Sequence, residues 1–164
     1  MTRQIKFTRM EGSLRGIFKQ SVAEFERYLR NDPKMYHWVC VDQPELMAHA
    51  LECLGPDLQE QDLAATVKNM PYLFLLFRRG KVETKNMHVE SLIAFLASLG
   101  QAGLFNVMRQ VSDLEALPTM FDLDPDTWVP HVFIISGKVD LNYYHNEGEQ
   151  DPNISFFGNE GRLF

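Results

Sequence analysis

An α/β architecture, a central sheet covered by helices, is predicted by three features of the sequence. Segments with strand-like and helix-like apolar spacing alternate along the chain. One segment, Tyr72-Leu73-Phe74-Leu75-Leu76-Phe77, is continuously apolar, as expected of a strand buried on both faces. Hydrophobic residues make up 45% of the 164 positions and charged residues 23%, enough for a core that needs no disulfides or metals.

The elements follow in order. Ile5 and Phe7 alternate with polar neighbours as in an edge strand, and Leu14-Arg15-Gly16-Ile17-Phe18 reads as a short strand. Ser21 with Glu24 three places on makes a capping-box pattern that opens a helix, with Val22, Phe25 and Leu29 on one face and Pro33 beyond its end. Tyr36 to Val41 is rich in aromatic and branched residues and reads as a strand. Pro44 suits the first position of a helix whose apolar face is Leu46, Ala50, Leu51 and Leu54, stopped by Gly55. A second helix over 58–69 ends at Pro71 and leads into the apolar strand. Arg78-Arg79-Gly80-Lys81 reads as a turn, Val82 to Lys85 as a returning strand, and Asn86 as the cap of a helix carrying Leu92, Phe95, Leu96 and Leu99.

The last third is less regular. Phe105 to Val111 reads equally as a short strand or a helix, Ser112 to Leu117 as one or two helical turns, and Pro118 to Val129 as a loop. His131 to Ile135 and Val139 to Tyr144 flank Ser136-Gly137-Lys138, a hairpin signal. From Asn146 onward acidic residues, Gly and Pro dominate, with Phe156, Phe157 and Phe164 embedded. The pattern of proline, buried strand, glycine and second strand at 70–82 is echoed at 129–139. The expected division is a domain at 1–100, an extension with a second hairpin at 101–145, and an acidic, aromatic-containing tail at 146–164.

Charge and composition exclude several functions. Sixteen Lys and Arg against 22 Asp and Glu give a net charge of −6, with no basic patch of the kind that releases counterions from nucleic acid. No stretch approaches a membrane span, the N-terminus lacks the apolar core of a signal peptide, and two cysteines are too few for a disulfide framework. A reducing, cytoplasmic setting without nucleic acid or membrane partners is expected.

The order of motifs from Asp62 to Leu96 resembles the thioredoxin-like superfamily. The helix Asp62 to Met70 runs into Pro71, Tyr72 to Phe77 forms a buried strand, Gly80 a turn, and Val89 to Leu96 a final helix; Trp38-Val39-Cys40-Val41-Asp42 matches the family's preceding strand. The resemblance covers about residues 14–99 and implies a central mixed sheet flanked by helices, with Pro71 as a cis-proline. Catalytic members carry Cys-x-x-Cys where this chain has Phe18-Lys19-Gln20-Ser21-Val22, so their dithiol exchange has no thiol to use. The resemblance leaves a groove of Phe18, Ser21, Met70 and Pro71 for an extended peptide, with Phe156 and Phe157 as a second contact. Pro71 reads equally as a plain helix terminator.

Other chemistry has less behind it. Cys40 and Cys53 match no zinc or redox spacing and read as buried small hydrophobes, with a thiol enzyme using either one as the alternative. Glu45, His49 and Cys53 step by four along one helix face, without an oxyanion-donating loop nearby. Asp122, Asp124 and Asp126 alternate like the start of a calcium loop, but Thr127 and Phe133 stand where Gly and Glu belong. His131 and His145 do not face each other across the expected hairpin, and Arg78, Arg79, Lys81 and Lys85 read as a solvated basic turn. The sequence therefore predicts a thioredoxin-like, chaperone-like or assembly module that binds a protein or peptide partner, with no metal or cofactor, leaning away from an enzyme.

Overall fold

Residues 7–8, 13–30, 32–54, 63–80, 89–111 and 116–139 are described by the structure, a computed structural model. The first long element is a helix, α1 (Leu14–Tyr28), not a strand followed by a later helix. Ser13 caps it by accepting from the Gly16 N–H at 3.1 Å, so the cap lies eight residues before Ser21. Leu14, Ile17, Phe18, Ser21, Val22 and Phe25 then form one stripe at three- and four-residue spacing. The window 14–18 looks strand-like only because it is too short to show that period.

After a 3₁₀ turn at Pro33–Met35 come β2 (Tyr36–Val41) and α2 (Pro44–Cys53), with Pro44 in the first turn as predicted. α3 (Leu63–Asn69) leads into β3 (Tyr72–Arg79), which lies antiparallel beside β2 with Trp38 opposite Leu76. α4 (Val89–Gln101) is followed by β4 (Leu104–Gln110), α5 (Ala116–Met120) and β5 (Trp128–Val139). A two-residue strand, β1 (Phe7–Thr8), pairs with Val139 and Lys138.

β5 runs through Ser136-Gly137-Lys138 without turning. A Cβ on Gly137 would collide with the backbone oxygen of Asn69 and with the Phe7 ring, so this glycine permits close approach of neighbouring chain rather than a hairpin. β5 occupies the centre of the sheet, with β3 on one edge and β4 on the other, although it comes from the segment read as an extension. The internal echo has a physical basis: the two proline-led apolar segments are the adjacent central strands, with Leu73 opposite Ile135 and Leu75 opposite Phe133.

Every described ladder is antiparallel, and no described peptide bond is cis, Met70–Pro71 included. The mixed sheet and cis-proline of a thioredoxin-like fold are both absent from the described residues. Helices cover both faces. Leu73, Leu75, Phe77, Phe133 and Ile135 pack with Met47, Leu51 and Leu117 of α2 and α5, while Phe74, Leu76, Val132 and Ile134 pack with Phe25 of α1 and Phe95 and Leu99 of α4. No described helix is long and apolar enough to cross a membrane. The returning strand 82–85, the Asn86 cap, Gly55, the second hairpin's 140–144 and the tail with His145, Phe156, Phe157 and Phe164 lie outside the described residues.

Candidate functional site

The residues of the expected peptide groove are not brought together. Phe18 stacks on Phe74 at 5.6 Å and meets Phe95 edge-on at 6.4 Å, inside the α1/α4 layer. Ser21 is buried there, donating to the Ile17 carbonyl at 2.8 Å and sharing a 2.9 Å hydroxyl–hydroxyl bond with Ser98 Oγ, which supplies the proton of that pair. Met70 packs on the opposite side of the sheet against the α2/α5 layer, and its N–H closes the end of α3 on Thr66. Phe18 and Ser21 are thus structural, and Pro71 serves as a helix-to-strand connector.

The thiols are equally separated. Cys40 belongs to the α1/α4 layer and Cys53 to the other, and both are free. Burial, with the Asp42 charge second, pushes the Cys40 thiol up to about 12, the reverse of what a thiolate nucleophile requires. His49 lies 4.0 Å from Glu52 on an exposed surface. Asp124 spends its carboxylate on the Asp126 N–H and the Thr127 hydroxyl, fixing a turn. Among the described residues no three His, Cys, Asp or Glu side chains converge as metal ligands.

Polar chemistry concentrates instead along β4 and at the end of the sheet next to it. Gly103, at φ 84°, turns the chain from α4 into β4, and Lys138 fastens that corner by donating to the Ala102 carbonyl at 2.9 Å. The bonds from Val111 N–H to His131 O (3.0 Å) and from Val139 N–H to Gly103 O (3.3 Å) direct the odd-numbered backbone groups of β4 toward β5. Leu104, Asn106, Met108 and Gln110 therefore turn theirs to the outer edge, which no described strand covers. Two of the outward carbonyls are capped by β4's own side chains: Asn106 Nδ2 donates to Leu104 O at 3.1 Å, and Arg109 Nη1 to Met108 O at 2.9 Å. The N–H groups of Asn106, Met108 and Gln110 and the carbonyls of Asn106 and Gln110 also face that edge, so it presents both donors and acceptors. Asn106 also accepts from the Ser136 hydroxyl in a short contact that locks it to β5.

Beyond the end of β4 the sheet carries a basic and aromatic cluster. Leu76 pairs with Val132 but Phe77 with Pro130, leaving His131 as a bulged residue with no partner on β3. Burial, reinforced by the nearby Arg78 charge, pushes the His131 imidazole down to about 4, so it is neutral at pH 7. Arg78 Nε is buried and has no hydrogen-bond partner. On the other face Arg79 lies 4.8 Å over the Trp128 ring and donates to Lys34 O at 3.1 Å, with His37 5.5 Å from the same ring.

A separate groove of about 660 Å³ runs over the outside of α1 and α4, between Gln20, Glu24 and Tyr28 on one side and Glu90, Ile93 and Ala97 on the other. Its two carboxylates give it the wrong sign for an anionic ligand.

No family model matches the chain, and no curated protein matches it. Solved structures do. The chain is similar to the FMN-dependent nitroreductase of Clostridium difficile R20291, with a TM-score of 0.59 at 11% identity over 93% of this chain and 95% of that one. It matches the FMN-dependent nitroreductase NfnB of Mycobacterium smegmatis, solved with NADPH, at 0.59 and 11% over 93% and 90%. Iodotyrosine deiodinase bound to FMN and 3-iodo-L-tyrosine matches at 0.60 and 12%, again over 93% and 90%. The chain has the nitroreductase fold. The thioredoxin-like resemblance is thereby overturned, and with it the non-redox, chaperone-like binding module that rested on it. The alternative of a thiol enzyme using Cys53 or Cys40 fails as well, since the fold's solved neighbours name a flavin and Cys40 is held protonated.

The sequence reading missed this site for identifiable reasons. Residues 105–111 fit a strand and a helix equally in sequence, so the capping roles of Asn106 and Arg109 have no frame there. Arg78 lies within β3 opposite Tyr36 and Val129, not in a turn, and His131 sits at a bulge of β5, not in a hairpin.

Proposed function

We propose that this chain is an FMN-binding oxidoreductase. The observation that carries the reading is the agreement of its fold, over nearly the whole length of both chains, with proteins solved as FMN-dependent enzymes. The described residues fit the cofactor at one decisive place. The pyrimidine ring of an isoalloxazine carries carbonyl acceptors and an N–H donor, and the β4 edge offers outward N–H groups at Asn106, Met108 and Gln110 beside the outward carbonyls of Asn106 and Gln110. Arg109 adds a cation there. FMN held at that edge would supply a two-electron, hydride-transferring centre.

The chain's own residues hold and orient. Asn106 is fixed by Ser136 and by its bond to Leu104 O, which keeps the edge geometry set before a ligand arrives. Lys138 and Gly103 pin the start of β4 against β5. Two free thiols support a reducing, cytoplasmic setting.

The test is the visible spectrum of the purified full chain, followed by titration of flavin-free protein with FMN. The expected result is a bound flavin whose fluorescence is quenched and which oxidises NADPH in the presence of a nitroaromatic acceptor. Protein that is colourless and leaves FMN fluorescence unchanged at excess would reject the reading. Asn106→Ala should weaken FMN binding by about tenfold, the loss expected for one oriented hydrogen-bonding residue.

A further inference from the structure

We propose that the outer edge of β4 recognises a pyrimidine-2,4-dione by its cyclic imide, and that Ser136 is the positioning residue that keeps the edge selective for that group. The inference deepens the flavin reading and rests on it for the ligand, since the pyrimidine ring of a flavin carries this imide. The starting observation is which outward carbonyls of β4 are already taken. Leu104 O accepts from Asn106 Nδ2 at 3.1 Å, and Met108 O accepts from Arg109 Nη1 at 2.9 Å. Between those two capped carbonyls stand, in order, the Asn106 N–H, the Asn106 C=O and the Met108 N–H. No described strand covers them.

That run reads donor, acceptor, donor. Its complement is acceptor, donor, acceptor, which is the order of carbonyl, N–H and carbonyl in an imide. A carboxylate or phosphate ion has no proton to give the Asn106 carbonyl, and an ammonium group has no acceptor for the two N–H groups. The Asn106 N–H and C=O point outward side by side, as in any residue that exchanges both bonds with a neighbouring strand, and meet one carbonyl and the N–H of the imide. The Met108 N–H lies about 6.8 Å, two strand rises, beyond the first donor, where one bridging water reaches the second carbonyl. Gln110, past the Met108 cap, offers one donor and one acceptor and so only part of the pattern.

Ser136 acts on this run through Asn106. It is fully buried on β5, directly opposite Asn106, and its hydroxyl donates to Asn106 Oδ1. With Oδ1 held there, Nδ2 is the end of the carboxamide that points to Leu104 O; the reversed amide would set oxygen against oxygen. The serine hydroxyl thereby keeps the Leu104 carbonyl occupied and bounds the imide run on that side. Without it the carboxamide loses the bond that orients it, and Leu104 O becomes a second acceptor beside the Asn106 N–H. The edge would then discriminate less well between an imide and a ring that lacks the central donor.

The experiment follows the backbone amide signals of the flavin-free full chain by NMR while FMN, N3-methyl-FMN, uridine or N3-methyluridine is added. FMN should move the Asn106 and Met108 signals along a saturable curve. Methylation at N3 should weaken binding by about tenfold or more, because it removes the donor that meets the Asn106 carbonyl. Ser136→Ala should shrink that ratio by about threefold or more, and Ser136→Thr, which keeps the hydroxyl, should restore it. A merely structural role for the serine would lower both affinities and leave their ratio alone. Equal binding of FMN and N3-methyl-FMN by the wild type would overturn the proposal and leave the flavin reading standing. Uridine moving these signals where FMN does not would uphold the imide site and remove the flavin. Signals that neither FMN nor uridine moves would overturn both. The wild-type comparison decides even where a variant fails to fold.

Discussion

The two faces of the sheet are built from different materials. The face under α2 and α5 is mostly aliphatic, with Val41, Leu51, Leu54, Leu73, Leu75 and Ile135 around Met47 and Phe77. The face under α1 and α4 is aromatic and partly polar. Trp38 stacks on Phe95 at 4.0 Å and 9°, Phe25 meets Trp38 and Tyr36 edge-on, and Ser21 bonds Ser98 between the helices. The buried side-chain atoms without partners, Trp38 Nε1, Arg78 Nε and Ser91 Oγ, belong to residues of this second layer or of its helix α4. An aliphatic layer tolerates no stranded donors and has none described. The aromatic layer carries them, which marks it as the side where unsatisfied chemistry is retained.

Deleting a ring from the aromatic layer should have the largest effect. Phe95→Ala removes the stack on Trp38 and the contacts with Phe18 and Phe74, and should cost about 3–5 kcal/mol in urea unfolding. Leu51→Ala in the opposite layer should cost about 2–5 kcal/mol, set by how far its aliphatic neighbours close the gap. If the leucine costs clearly more than the phenylalanine, the aromatic layer is not the tighter-packed of the two. Gly137→Ala comes next, at about 1–3 kcal/mol, because the new methyl meets a backbone carbonyl that cannot swing aside.

These same residues show how much of the molecule was legible in the sequence. β2, α2, β3 and α4 were readable because each carries its own period or an uninterrupted apolar run. What misled was local punctuation. Gly137 looks like a turn glycine, but the approach of Asn69 and Phe7 that demands it comes from residues distant in sequence. Ser21 looks like a helix cap, but it is a mid-helix serine whose hydroxyl is taken by Ser98, 77 positions away. Antiparallel pairing of β3 with β5 leaves no mark in a one-dimensional pattern that also fits a thioredoxin-like order. The polar edge of β4 was invisible for a related reason, since which backbone groups face outward depends on register with β5.

The serine pair offers a sharper probe of the aromatic layer. Ser21→Ala strands the Ser98 hydroxyl and should cost about 1–3 kcal/mol, whereas the double change Ser21→Ala with Ser98→Ala should recover most of that loss. Additive losses in the double-mutant cycle would mean that the two hydroxyls act independently.

The smallest effect belongs to His131 and depends on pH. Its folded value lies near 4 against an ordinary value of 6.5, so between these limits the unfolded chain binds the extra proton. Its contribution to stability is therefore complete above about pH 6.5 and is lost as the pH falls toward about 4. His131→Asn should flatten that part of the acid limb and leave the curve above pH 7 unchanged in shape. Because the imidazole is only partly buried, solvent screening keeps the slope shallow, and a difference between the two curves is a better measure than either alone. An acid limb that His131→Asn leaves unchanged would mean that protonation of this imidazole does not destabilise the fold.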